Sequence, residues 1–216
     1  QIVSPADVEI TLARSRVGAA CAVPRSGPED PDIIYLGDSV VADYVQGAAR
    51  LVDITGAREV RVAYSAMHGV GAETLRRVFA AGGFAPPVEV TAQIEPDPDF
   101  PTLAFPNPEE PGAMDLGLAT ARSAAADVLL ANDPDADRLG VAVPDPLAPG
   151  GWRTLRGDEV GVLLADHLLR HGAISPTAVL ATTIVSSGLL SQMAEAAGIA
   201  YVETLTGFKW ISRAGS

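Results

Sequence analysis

Asp133-Pro134-Asp135-Ala136-Asp137-Arg138 is the segment best equipped for chemistry. It places three carboxylates at alternate positions, and Arg138 follows the last. The preceding stretch Asp127 to Ala131 (DVLLA) reads as a strand that is apolar on both faces. Strand ends are where open α/β sheets bind ligands. Carboxylates this close repel one another unless a cation sits among them. Hard oxygen donors suit Mg²⁺, which takes few protein ligands and completes its shell with water or phosphate oxygens. Asp133, Asp135 and Asp137 are therefore the expected metal ligands. Arg138 can salt-bridge these carboxylates or orient a phosphate oxygen.

Other readings of the segment are weaker. An EF-hand needs Gly at position 6 and Glu at position 12 counted from Asp133, and those positions hold Arg138 and Pro144. A haloacid-dehalogenase-type phosphatase, with a nucleophilic Asp after a strand, does not call for a third Asp followed by Arg. A solvated acidic turn is the plain alternative. Lys209 is the second residue that stands out. It is the single lysine among 15 basic residues and lies in Thr206-Gly207-Phe208-Lys209. Lysine is a compact donor with a readily tuned pKa, and Gly207 lets the main chain approach a ligand closely. His68 sits between a strand and a helix N-terminus, a position that favours anions, although a lone loop histidine is commonly a structural hydrogen-bonder. Gly69 and Gly71 read as turn geometry. Asn107, Glu109 and Glu110 can cap a helix or line a cleft. Glu95, Asp97 and Asp99 read as a solvated loop. His167 and His171 have zinc-ligand spacing but lack a third ligand.

These residues need a scaffold, and the chain alternates in a way that supplies one. A helix is expected over Pro5 to Arg16, then a Pro-rich linker over 21–32, then a helix over Ser39 to Asp53. Strand Glu59 to Ser65, helix Ala72 to Ala81 closed by Gly82-Gly83, and strand Val88 to Ala92 follow. A long acidic, Pro-rich loop spans Ile94 to Gly112, and loops of that length are usually functional or disordered. Helix Met114 to Ala126 leads to strand Asp127 to Ala131, the Asp loop, and strand Leu139 to Val143. Pro144 to Gly151 is either a hairpin turn or the edge of a second unit. Beyond it a second series is expected: strand 152–155, helix Asp158 to Arg170, strand Ala178 to Ile184, helix Ser187 to Ala197, strand Ala200 to Glu203, and a loop over Thr204 to Lys209. Such alternation defines an α/β layered fold. The expected units are 1–37 as the tail of a preceding domain with a linker, 38–150 around the Asp loop, and 151–216 as a second, incomplete α/β unit.

Composition narrows the partners. The 216 residues carry a formal net charge of −12 and 48% hydrophobic residues. That apolar fraction is too high for a disordered chain. An acidic chain without a basic face is repelled by nucleic-acid phosphates and anionic membranes. The lone Cys21 excludes an intramolecular disulfide and a Cys-rich zinc site, and reads as a small buried hydrophobe. Gln1 to Thr11 has no signal-peptide pattern, and the uncharged stretch His171 to Ala194 is too polar to span a membrane. A cytoplasmic protein is expected. The chain begins without Met and ends at Ala214-Gly215-Ser216, which leads to the expectation of a piece of something longer.

The motifs taken together resemble one family. NDPDADRLGVAV is similar to the metal-binding loop of the α-D-phosphohexomutases, the phosphoglucomutase/phosphomannomutase superfamily. SAMHGVGAETLRRVF, EPDPDFPTLAFPNPEEPGA, RGDEVGVLLADHLL and ETLTGFKWI match in order and spacing, from about Asp38 to Ile211. The MHGVG, PNPEEPGA and TLTGFKW forms resemble the branch of bacterial phosphoglucomutases and phosphopentomutases. The resemblance implies two consecutive α/β/α domains with mixed sheets, the second and part of the third of four. It implies a Mg²⁺-dependent intramolecular phosphotransferase working through a phosphoserine and a bisphosphate intermediate. Asp133, Asp135 and Asp137 would hold the metal, Arg138 and Lys209 would be catalytic, and Thr206, Gly207 and Lys209 would bind substrate. The substrate would be a phosphosugar, glucose first and mannose second, with a pentose phosphate as alternative. The phosphoserine loop, the phosphate-gripping loop and the EE-x-x-G sugar loop are absent from this sequence. The first and fourth domains of the parent would supply what is missing, and without the serine phosphate the Asp loop is expected to bind Mg²⁺ weakly. A non-catalytic metal-binding module is the remaining alternative, should the native chain be this short.

Overall fold

The computed structural model describes residues 5–17, 34, 36–52, 56–172 and 174–214. The expected linker over 21–32 lies outside the described residues, as does Cys21. The chain divides into two compact units, Leu36–Val160 and Gln1–Tyr35 with Gly161–Ser216. The second unit includes helix α1 (Ala6–Val17).

In the first unit α2 (Ser39–Ala49) precedes β1 (Val62–Ser65), α3 (Gly71–Ala81), β2 (Val88–Glu89), α4 (Asp115–Ser123), β3 (Val128–Asn132), β4 (Leu139–Pro144) and β5 (Trp152–Leu155). The strands form one mixed sheet of order β2-β1-β3-β4-β5. β1 runs parallel to β2 and β3, whereas β3, β4 and β5 are antiparallel neighbours. All four residues of β1 are buried, as expected for a strand covered on both faces. Ala63, Leu129, Ala131 and Ala142 face one layer, with Met114 and Ala121 of the α4 segment. Tyr64 faces the other, with Ala72 and Leu75 of α3. Small residues bring the layers close. A Cβ at Gly117 would stand 2.9 Å from Leu129 Cδ2, so any larger residue there would force the buried Leu129 side chain to shift. A bidentate pair joins α3 to the sheet edge: Arg76 Nε and Nη2 donate to the Glu89 carboxylate at 2.6 and 2.8 Å.

Several elements differ from the sequence expectation. Residues 59–61 stay outside β1, because the Arg61 N–H is taken by the Asp127 carboxylate at 2.7 Å. β2 is only two residues long, since the chain turns into a 3₁₀ segment at Thr91–Gln93 and carries Gln93 inward to Ser65. α2 stops at Ala49 and α4 at Ser123. The largest correction concerns Trp152–Leu155. This strand does not open the second series. It pairs antiparallel with β4, and Pro144 to Gly151 is the hairpin connection.

Helix α5 (Gly157–Arg170) follows β5. The second unit then carries β6 (Val179–Thr183), α6 (Leu189–Ala197), β7 (Ala200–Thr204) and the short α7 (Phe208–Ile211). β6 and β7 are parallel and form a two-stranded sheet. Leu190 and Ala194 are buried residues of α6, and Gly198 ends that helix in the left-handed region at φ 68°. The expected loop over Thr204 to Lys209 is shorter than foreseen, because Phe208 already begins α7.

Candidate metal centre

β3 ends at Asn132 and delivers the Asp loop to the end of the sheet. Asp133 is buried, while Asp135 and Asp137 are exposed. One carboxylate oxygen from each lies within 4.8 Å of the other two. Asp133 Oδ1 accepts the Arg138 N–H at 2.9 Å, and the Asp133 carbonyl accepts the Ala136 N–H at 2.9 Å. Ala136 closes this turn at φ 58°, an uncommon conformation for a residue with a side chain. Arg138 Nε lies 3.8 Å from Asp133 Oδ2 and 3.9 Å from Asp137 Oδ1. One guanidinium offsets one of three carboxylates, leaving a formal double negative charge. Hard, anionic oxygens converging on one point are a donor set that fits Mg²⁺.

The loop is fixed from below by residues that sequence reasoning missed. Tyr64 Oη donates to Asn132 Oδ1 at 3.1 Å, and Asn132 Nδ2 donates to the Arg138 carbonyl at 2.7 Å. Burial pushes the Tyr64 phenol up to about 12, with Glu89 adding to the rise, so the hydroxyl stays a donor. Gly69 and Gly71 do more than turn the chain. A Cβ at Gly69 would run into the Pro134 backbone, and one at Gly71 would stand 2.9 Å from Tyr64 Oη. The Val70 N–H donates to the Pro134 carbonyl at 2.9 Å. The one signal of this contact in the sequence is the Gly-x-Gly spacing, which does not name its partner.

His68 is buried, and its Nε2 lies 2.8 Å from Thr102 Oγ1. Asn107 is buried and accepts the Glu109 N–H at 3.1 Å, capping a turn and not a helix. Glu109 and Glu110 line a cleft of about 560 Å³ with Pro108, Leu139, Thr154 and Arg156. Asp97 Oδ1 accepts the Asp99 N–H at 3.0 Å within the acidic loop. His167 and His171 are exposed at the end of α5, with ring centroids 4.4 Å apart and the rings tilted by 43°. Among the described residues the Asp triad is the one cluster with metal-ligand geometry. In the second unit Thr206 is exposed, and Gly207 adopts φ 125° before α7. Lys209 lies within α7 with Nζ 5.6 Å from the Trp210 ring centroid. No described helix is long and apolar enough to cross a membrane.

Comparison with known proteins gives this arrangement its class. Residues 42–150 match the family described as phosphoglucomutase/phosphomannomutase, alpha/beta/alpha domain II, and residues 156–214 match its domain III. The chain belongs to the phosphoglucomutase/phosphomannomutase family. It is 41% identical over 213 residues to a Haemophilus influenzae protein named "Probable phosphomannomutase", covering 99% of this chain and 43% of that protein. It is 43% identical over 162 residues to a phosphoribomutase of Saccharomyces cerevisiae, covering 68% of this chain and 25% of that protein. The chain thus spans less than half the length of these relatives. Its fold is shared with a phosphoglucomutase/phosphomannomutase family protein from Burkholderia thailandensis, at TM-score 0.65, 23% identity, 80% of this chain and 34% of the other.

Proposed function

We propose that the protein containing this chain is a Mg²⁺-dependent phosphosugar mutase that interconverts hexose 1-phosphates and 6-phosphates, with glucose or mannose as the sugar. The observation that carries this reading is the triad of carboxylate oxygens within 4.8 Å of one another at the end of β3. Asp133, Asp135 and Asp137 would hold the cation. When bound, Mg²⁺ supplies neutralisation of phosphoryl-oxygen charge. The chain's own residues bind and orient. The Arg138 guanidinium lies beside Asp133 and Asp137 and would offer its donors to a phosphate oxygen. Lys209, with Thr206 and Gly207, would contact the substrate. Phosphoryl transfer asks mainly for positioning and charge stabilisation, which such residues provide. The serine that carries the phosphoryl group and the loop that grips the substrate phosphate would lie in domains outside this chain.

A pentose reading has specific support from the phosphoribomutase relative at 43% identity. Turnover of the full-length protein on glucose, mannose and ribose 1-phosphates separates the two. A preference for a hexose is expected, and a clear preference for ribose 1-phosphate overturns the first reading.

A further inference from the structure

The strongest backbone anomaly in the first unit lies beside the Asp loop. Met67 and His68 are consecutive residues in the left-handed region, at φ 47° and 62°. For residues with side chains such conformations are strained and persist only where the surroundings over-determine them. Here the surroundings do so through His68. Its N–H donates to the Gln93 carbonyl at 2.9 Å, and its own carbonyl accepts the Asp97 N–H at 3.0 Å. Its Nε2 meets Thr102 Oγ1 at 2.8 Å, with the direction of that bond set by the tautomer. Thr102 Oγ1 also accepts from Gln93 Nε2 at 2.9 Å, and Gln93 Oε1 accepts from Ser65 Oγ at 2.8 Å. Ser65 Oγ in turn accepts the Met67 N–H at 3.0 Å. The ring stands edge-on to Phe100 at 6.5 Å. The strained pair is therefore pinned to β1, to the 3₁₀ segment and to the acidic loop at once.

What the strained pair accomplishes is visible one residue later. It turns the chain so that Gly69 abuts the Pro134 backbone and Val70 N–H binds the Pro134 carbonyl. Pro134 stands between two of the three acidic residues of the triad. We propose that His68 is a positioning residue for the Asp loop: it holds the left-handed turn whose Gly69 and Val70 clamp Pro134, and so sets the spacing of Asp133 and Asp135. This inference rests on the metal reading of the triad.

The test uses the chain with His68→Ala, His68→Gln and Thr102→Val. Two quantities are read: hydrogen exchange of the Val70 and Arg138 amides without metal, and Mn²⁺ affinity by electron paramagnetic resonance. His68→Ala is expected to speed exchange at both amides and weaken Mn²⁺ binding about tenfold, the low end for groups that orient metal ligands. His68→Gln, which can reach Thr102 with a side-chain amide, is expected to restore much of both. Thr102→Val should shift both in the direction of His68→Ala by less, and it reads the clamp even if His68→Ala does not fold. Unchanged exchange and affinity in a folded His68→Ala chain overturn the proposal. So does a loss that His68→Gln fails to restore at all. If the wild-type chain binds no Mn²⁺, the metal reading of the triad falls, while the exchange rates still judge the clamp.

Discussion

The loop after β3 and the loop after β7 both leave the carboxyl ends of strands in α/β units, but they are built differently. Asp133–Arg138 is held by the Tyr64–Asn132–Arg138 hydrogen-bond chain, by the Arg138 N–H on Asp133 and by the Gly69-Val70 turn pressed on Pro134. Leu205–Lys209 takes its shape from Gly207 at φ 125° and from the helical turn that starts at Phe208. The sheets beneath them differ in the same sense. β1 is buried along its whole length, whereas β7 has no residue in the buried class. The proposed cation site would need several oxygens fixed together before an ion arrives, and the hydrogen bonds and left-handed residues around the first loop fit that need. A loop proposed to meet a sugar phosphate through a lysine and a glycine turn would need less support from its own unit.

Substitutions at five positions can break or sharpen that contrast. The largest effect is expected from Asp135→Asn in the full-length protein: Mg²⁺-dependent turnover falls about 10²- to 10³-fold with the melting temperature little changed. Unchanged turnover would remove the triad from the chemistry. Leu129→Ala deletes a fully buried side chain under α4 and should cost about 3 kcal/mol in urea unfolding of the chain. Val202→Ala in the half-buried β7 should cost about 1 kcal/mol. Equal costs would erase the difference between the two sheets. Lys209→Ala should raise the KM for the sugar phosphate about tenfold, with Lys209→Arg in between, since a charged hydrogen bond contributes about 1.5–3 kcal/mol. An unaltered KM would leave Lys209 without a substrate role.

The smallest effect is expected from Arg76→Ala. The pair with Glu89 is partly exposed, so its loss should cost no more than about 1 kcal/mol at neutral pH and less in high salt. Its pH dependence has a definite sign. The Arg76 hydrogen bond holds the Glu89 carboxyl below its ordinary 4.5. A depressed carboxylate contributes stability above its unfolded value, lost as pH falls through the folded one. The difference between wild type and Arg76→Ala should therefore be present at pH 7 and vanish in acid, as thermal melts across pH would report. A difference that persists at low pH would mean that Arg76 acts through packing instead.

Much of this was legible in the residues themselves. The alternation of apolar runs and turn residues located the strands and helices of both units, because each is a short periodic segment with its own stop signal. The convergence of the Asp triad was legible because its carboxylates stand at alternate positions directly after an apolar strand. The strand Trp152–Leu155 was misplaced because no local feature of those residues says which sheet will accept them. Only the hairpin register with β4 decides that. The roles of Gly69, Tyr64 and Asn132 were not legible for a related reason. Each depends on a contact more than sixty residues away in the chain, and a single sequence carries no sign of the partner.

The central claim is that Asp133, Asp135 and Asp137 form a preshaped divalent-cation site. Its most direct test is a titration of the chain with Mn²⁺ followed by electron paramagnetic resonance, alongside Asp135→Asn and in competition with Mg²⁺. One weak site that Mg²⁺ displaces, and that Asp135→Asn abolishes, is the predicted result. Binding that is absent in the wild-type chain, or equally strong in Asp135→Asn, would contradict it.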